Sequence, residues 1–148
     1  MFSEKWDKRF LETAKLISGW SLDPSTKVGA VIVDQDKRIV SLGYNGLPQG
    51  IHDSSEILEN RELKYCSIIH AELNAVLFSN RDLAGMSLYV WPIQPCARCT
   101  SVIIQKKIKR VIIPASHFGV SDRWKVEFDF ARELLDQAHV SLERVECD

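Results

Sequence analysis

Apolar residues fall into two rhythms along the chain. Between Ser3 and Ser18 they recur at three- and four-residue steps, at Trp6, Phe10, Ala14 and Ile17, which predicts an amphipathic helix. Gly19 suits its C-terminal cap. Ser21-Leu22-Asp23-Pro24-Ser25-Thr26 then reads as a loop. Lys27 to Val33 and Arg38 to Tyr44 read as strands, joined into an antiparallel hairpin by the turn Asp34-Gln35-Asp36-Lys37. The first strand is apolar on both faces from Val28 to Val33, which argues for a sheet covered on both sides.

From Ile51 to about Ile69 no period is clear, and a loop of that length in a compact domain is usually functional or poorly ordered. A helix is expected from His70 to about Asn80, then a strand from Ser87 to Trp91. Pro95 is placed to start a helix running roughly from Cys96 to Lys106. Val111-Ile112-Ile113 reads as a strand, and Val140 to Val145 as a short last one. Between them Trp124, Phe128, Ala131, Leu135 and Ala138 mark a helix from Asp122 to His139. Trp6 and Trp124 lie on apolar stripes and are assigned to the core. Strands separated by helices pair in parallel, so the last three should be parallel. The expected fold is α/β: a three-layer α/β/α sandwich on a five-stranded mixed sheet.

A length of 148 residues fits one domain, spanning 1–148, with enough chain to bury a core. The formal net charge of −1 shows no basic excess that would hold a nucleic-acid backbone. The basic run Lys106-Lys107-Ile108-Lys109-Arg110 reads as a solvated helix end. No apolar run reaches membrane-spanning length, and the first residues lack the apolar centre of a signal peptide. Four cysteines without a disulfide-like spacing point to a reducing, intracellular location: the cytoplasm, of the host cell if the chain is viral.

Candidate chemistry gathers in His70-Ala71-Glu72 and Pro95-Cys96-Ala97-Arg98-Cys99. One imidazole and two thiolates give three metal ligands, and three ligands leave one tetrahedral position of zinc open, the catalytic pattern. The combination of H-x-E with P-C-x-x-C is a described signature of zinc deaminases. His70 and Glu72 are two residues apart, about 200° on a helix, so they cannot share a side face. Cys96 and Cys99 are about 300° apart, nearly one face. Both pairs can meet one ion only if two helix N-termini converge on it. Zinc would lower the pKa of a bound water to about 7, and Glu72 would carry the proton.

Taken singly, His70 reads as a packed or capping residue and C-x-x-C as a redox or structural zinc motif. A structural site needs a fourth ligand, and His52, Cys66, His117 and His139 show no matching spacing. Cys66 and Cys147 belong to neither motif and are read as thiols. Trp91 ends the strand leading to the cysteines and reads equally as a pocket wall or a core residue. Asn45-Gly46 is explained by turn chemistry alone.

The chain resembles the cytidine and deoxycytidylate deaminase superfamily, and within it the deoxycytidylate (dCMP) branch. The resemblance rests on Asp23-Pro24-Ser25-Thr26-Lys27-Val28-Gly29, on Gly43-Tyr44-Asn45-Gly46-Leu47-Pro48-Gln49-Gly50, on Lys64-Tyr65, and on the two zinc motifs. It implies hydrolytic deamination of dCMP to dUMP, on the way to thymidylate. It implies zinc on His70, Cys96 and Cys99, with Glu72 as the proton shuttle. It further implies that Asn45 contacts the sugar or phosphate, with Ser25, Thr26 or Lys27 and the Ser121-Asp122-Arg123 segment near the phosphate; Ala71 and Trp91 complete the substrate-binding candidates. Effector nucleotides, dCTP as activator and dTTP as inhibitor with Mg2+, would bind near Asn45, Gly46 and Gly50 in a homo-oligomer, a hexamer. Trp91-Pro92-Ile93-Gln94 stands where the family pattern is smaller and more polar. Two other readings compete: a deaminase of tRNA adenosine or single-stranded DNA on the same scaffold, and a non-catalytic nucleotide-binding zinc module. The first needs a positive surface. The second would have lost Glu72.

Overall fold

In this computed structural model residues 2–116 and 122–147 are described. Helix α1 (Glu4–Ser18) leads into β1 (Gly29–Val33) and β2 (Ile39–Tyr44). Two short helices, α2 (Ser55–Leu58) and α3 (Arg61–Ser67), precede α4 (Ala71–Leu77). The chain then alternates through β3 (Ser87–Trp91), α5 (Ala97–Gln105), β4 (Arg110–Pro114), α6 (Asp122–Gln137) and β5 (Ser141–Val145). The sheet order is β2-β1-β3-β4-β5. β1 is antiparallel to both β2 and β3, whereas β3, β4 and β5 run parallel. The expected mixed sheet with its last three strands parallel is therefore present.

Alternation along the central strands divides the core in two. Ala30, Ile32, Leu88, Val90, Val111 and Ile113 face one way, onto Ala71, Ala75 and Val76 of α4, Ile103 of α5 and Leu135 of α6. Val31, Val33, Tyr89 and Ile112 face the other way, onto Phe10, Leu11 and Ala14 of α1. One outer layer is thus a single helix and the other is three. All five residues of β1 are buried, as a strand covered on both faces requires. Two glycines set the closeness of these layers. A Cβ on Gly29 would lie 2.0 Å from the Ala14 carbonyl oxygen of α1, and one on Gly43 would lie 2.5 Å from the Ala75 nitrogen of α4. Gly43 thereby lets the start of α4 press onto β2.

The structure departs from the sequence reading in five places. The segment expected as a loop from Ile51 to Ile69 holds α2 and α3. These helices are four and seven residues long, under two turns each, too short to display a period. Helix α4 stops at Leu77 rather than Asn80, because the Ser79 hydroxyl donates to the Val76 carbonyl at 2.6 Å and closes the turn. The basic run is no helix end: α5 ends at Gln105 with no basic residue in its last turn, and Lys107 takes φ 62°. Arg110 opens β4 and pairs inward with Asp7 and Glu143. Trp124 is not core: it is half-buried and meets Tyr65 edge-on, with ring centroids 6.3 Å apart. Trp6, also only half-buried, stacks on the edge of the α1 cluster, 5.8 Å from the Phe10 ring.

Candidate active site

His70 and Cys96 are not the first helical residues but the N-caps of α4 and α5, with extended backbones at φ/ψ −67°/153° and −70°/171°. An N-cap side chain leaves from outside the helical spiral, so His70 escapes the 200° offset from Glu72 that would hold inside a helix. Cys99 lies one turn into α5 and is buried. Two helix starts thus bring three donor atoms together, with His70 Nδ1 at 3.5 Å from Cys96 Sγ and 3.3 Å from Cys99 Sγ. All three donors lie within 4.8 Å of one another, and no other group of this kind occurs among the described residues. Zn–N near 2.0 Å and Zn–S near 2.3 Å in a tetrahedron place N and S about 3.5 Å apart. The donor set therefore fits zinc in identity and in spacing, with the fourth position left for water or substrate.

The electrostatics follow from these contacts. A hydrogen bond from the Cys99 thiol, with the His70 imidazole beside it, lowers the Cys96 thiol to about 4. Donation to Cys96, together with burial, pushes Cys99 the other way and keeps its proton on. Metal binding and loss of that proton are therefore linked. The contact with Cys96, reinforced by the Glu72 carboxylate, raises His70. Glu72, in the first turn of α4, is 4 % exposed. Burial raises its carboxyl from 4.5 to about 7, although the His70 charge works against the rise. A carboxyl poised there can both take and give a proton near neutral pH.

A cavity of about 780 Å³ opens over this centre. His70, Ala71, Glu72 and Cys96 lie at one end. Asp23 to Val28, Asn45, Lys64, Tyr65, Ile68, Trp91, Trp124 and Phe128 also line it. Asn45 is more than a turn residue. It is 6 % exposed. Its Oδ1 accepts from the Val28 N–H at 2.8 Å, and its Nδ2 donates to the Thr26 carbonyl at 2.8 Å and to Asp23 Oδ2 at 3.3 Å. Asn45 therefore holds the wall from 23 to 28 against the end of β2. Lys27 Nζ donates to the Ser21 carbonyl. Trp91 fulfils both of its readings: it lines the cavity and also packs on the α1 cluster, under the Lys15 ammonium 5.1 Å from its ring centroid.

Gly46 pairs with Ile69 through 3.1 and 2.8 Å backbone hydrogen bonds, tying its loop to the residue before His70. Gly50 sits in an exposed turn at φ 86°. Neither glycine lines the cavity. Ser121 and His117 lie outside the described residues, as does the Arg123 side chain. His52 and His139 are exposed, Cys66 is an exposed thiol, and Cys147 packs on the α1 cluster. Lys64, Tyr65, Trp124 and Phe128 were not among the candidates. The first two come from a helix that shows no period, and α6 reveals its pocket-facing side only once it is docked. Among the described residues no helix is long and apolar enough to cross a membrane.

The family model for the cytidine and deoxycytidylate deaminase zinc-binding region matches residues 4–115. An uncharacterized deaminase of Aliivibrio fischeri, from the luxG 3′ region, is 43% identical over 138 residues, covering 93% of this chain and 92% of that protein. The deoxycytidylate deaminase of Homo sapiens is 38% identical over 146 residues, covering 95% of this chain and 79% of that one. The crystal structure of dCMP deaminase from the cyanophage S-TIM5 in complex with dCMP and dUMP superposes with a TM-score of 0.77 at 25% identity, over 98% of this chain and 100% of that one. With the zinc-binding region matched from α1 to β4 and the donor set assembled at two helix starts, the chain belongs to the cytidine and deoxycytidylate deaminase family.

Proposed function

We propose that this protein hydrolyses dCMP to dUMP and ammonia as a single catalytic domain over residues 1–148, in the cytoplasm. The observation that carries the reading is Glu72 buried beside the His70–Cys96–Cys99 donor set at the end of a nucleotide-sized cavity. The relatives named deoxycytidylate deaminase, and the dCMP and dUMP bound in the cyanophage enzyme, support the choice of substrate.

His70, Cys96 and Cys99 would hold zinc, which when bound would supply the Lewis acidity that makes water nucleophilic near pH 7. Glu72 accepts the proton of that water and passes it to the ring nitrogen next to the attacked carbon. It then carries the second proton to the departing amine, so that water and dCMP leave as dUMP and ammonia. Asn45, Ala71, Ser25, Lys27 and Trp91 line the cavity; Trp91 and Ala71 are proposed for the base, Asn45 for the sugar or phosphate, and Ser25 and Lys27 for the phosphate. Ser121 and Arg123 are proposed for the phosphate. Control by dCTP, and by dTTP with Mg2+, is proposed at the loop of Asn45, Gly46 and Gly50 in a homo-oligomer. The Gly46–Ile69 bridge supports that reading, since it connects this loop to the residue before His70. Zinc-loaded protein should release ammonia from dCMP, and dCTP should lower the dCMP concentration needed. Ammonia from cytidine but none from dCMP would overturn the choice of substrate.

A further inference from the structure

The cavity wall holds a buried charge cluster that the proton shuttle does not use. Lys64 is the one buried residue of α3 and is 5 % exposed. Its Nζ donates to Asp23 Oδ1 at 3.1 Å and to Ser25 Oγ at 3.0 Å. Asp23 is itself 6 % exposed. Its Oδ1 also accepts from the backbone N–H groups of Ser25 and Thr26, and its Oδ2 from Asn45 Nδ2. A carboxylate with four donors is an anchor and not a base. An ammonium group joined to it across 41 residues of sequence locks α3 against the loop that carries Ser25.

Ser25 is exposed and lines the cavity. A hydroxyl offers one proton and two lone pairs, whereas an ammonium group offers protons only. With Lys64 donating into one lone pair, the Ser25 proton must point away from Lys64, and the open side is the cavity. The same helix places Tyr65 on the cavity wall, edge-on to Trp124. Removing Lys64 would release the orientation of the hydroxyl and the wall together, while leaving the His70–Cys96–Cys99 centre in place.

We propose that Lys64 is a positioning residue for substrate binding: clamped to Asp23, it turns the Ser25 hydroxyl proton into the cavity, where that proton is donated to an anionic oxygen of the nucleotide. The proposal rests on the nucleotide substrate argued above. Its test is steady-state kinetics on dCMP with zinc-loaded wild type, Lys64→Met, Ser25→Ala, Ser25→Thr and the Lys64→Met/Ser25→Ala double variant, with zinc content measured on each. Lys64→Met and Ser25→Ala should each raise KM about tenfold, the loss of one charge-assisted contact, with kcat within about threefold and zinc retained. Ser25→Thr, which keeps the hydroxyl, should restore KM. The double variant should be no worse than about threefold beyond the poorer single one, because Lys64 acts through Ser25. An unchanged KM in Ser25→Ala, multiplying effects in the double variant, or joint loss of kcat and zinc in Lys64→Met would overturn it. Should Lys64→Met not fold, an unchanged KM in Ser25→Ala still overturns the proposal, since that variant leaves the ion pair intact. Wild type that does not turn over dCMP would instead contradict the substrate reading and leave no KM to compare.

Discussion

Two buried carboxylates on opposite faces of the sheet, Asp7 and Glu72, are balanced in opposite ways. Under α1, Asp7 accepts from the Tyr89 hydroxyl at 2.6 Å and from Arg110 Nη2 at 3.2 Å, and Arg110 also reaches Glu143 at 2.9 Å and the Ser87 hydroxyl at 3.1 Å. Every charge in that network has an opposite partner, and the result is a fastening between α1, β3, β4 and β5. On the other face Glu72 is as deeply buried, yet among the described residues it forms no ion pair, and the carboxyl is pushed up toward neutrality. Burial alone therefore does not mark a catalytic group. The mark is a buried charge whose balance is left to a ligand.

The sharpest way to break this contrast is to exchange its consequences. On the site face, Cys99→Ala should abolish zinc binding, measured as metal per chain after dialysis, and turnover with it. Arg110→Met on the α1 face should cost about 3 kcal/mol of stability by urea unfolding, because it strands Asp7 in the core, while kcat and KM on the folded protein stay unchanged. A large kcat loss in that variant would make the α1 network part of the site.

Acid should separate the faces further. The Arg110 hydrogen bond holds the Glu143 carboxyl below its ordinary 4.5. A depressed folded-state pKa adds stability that is fully present above the unfolded value and is lost as pH falls through the folded one. Between pH 6 and pH 3 the wild type should therefore lose more stability than Arg110→Met does, measured as the urea midpoint. The smallest effect belongs to neither face. Lys107 follows α5 with a left-handed backbone, φ 62°, and Lys107→Gly should gain about 0.5–1 kcal/mol with activity unchanged.

What could be read in advance follows the range of the interaction. The strand β3 and the two helix starts were legible because a strand shows itself within five residues and an N-cap within three. The rule that His70 and Glu72 cannot share a helix face already required a metal off the helix end, and the N-cap geometry meets that requirement. α2 and α3 were hidden by their shortness, and Lys64 with them, since its partner Asp23 is 41 residues away. Arg110 read as one more cation in a solvated run because Asp7 lies 103 residues distant. Trp124 sat on a true apolar stripe, but that stripe faces a cavity as well as the core. Periodicity tells which side of a helix is apolar. It does not tell whether protein or ligand will cover it.

The central claim is that Glu72 moves protons while His70, Cys96 and Cys99 alone hold the metal. The direct test is ammonia release from dCMP by wild type and Glu72→Ala at matched zinc content. Both proteins should hold one zinc per chain, and kcat should fall about 10²–10⁴-fold in the variant, the usual worth of a positioned acid–base group. Wild-type turnover by zinc-loaded Glu72→Ala, or loss of the metal along with the carboxylate, would contradict it.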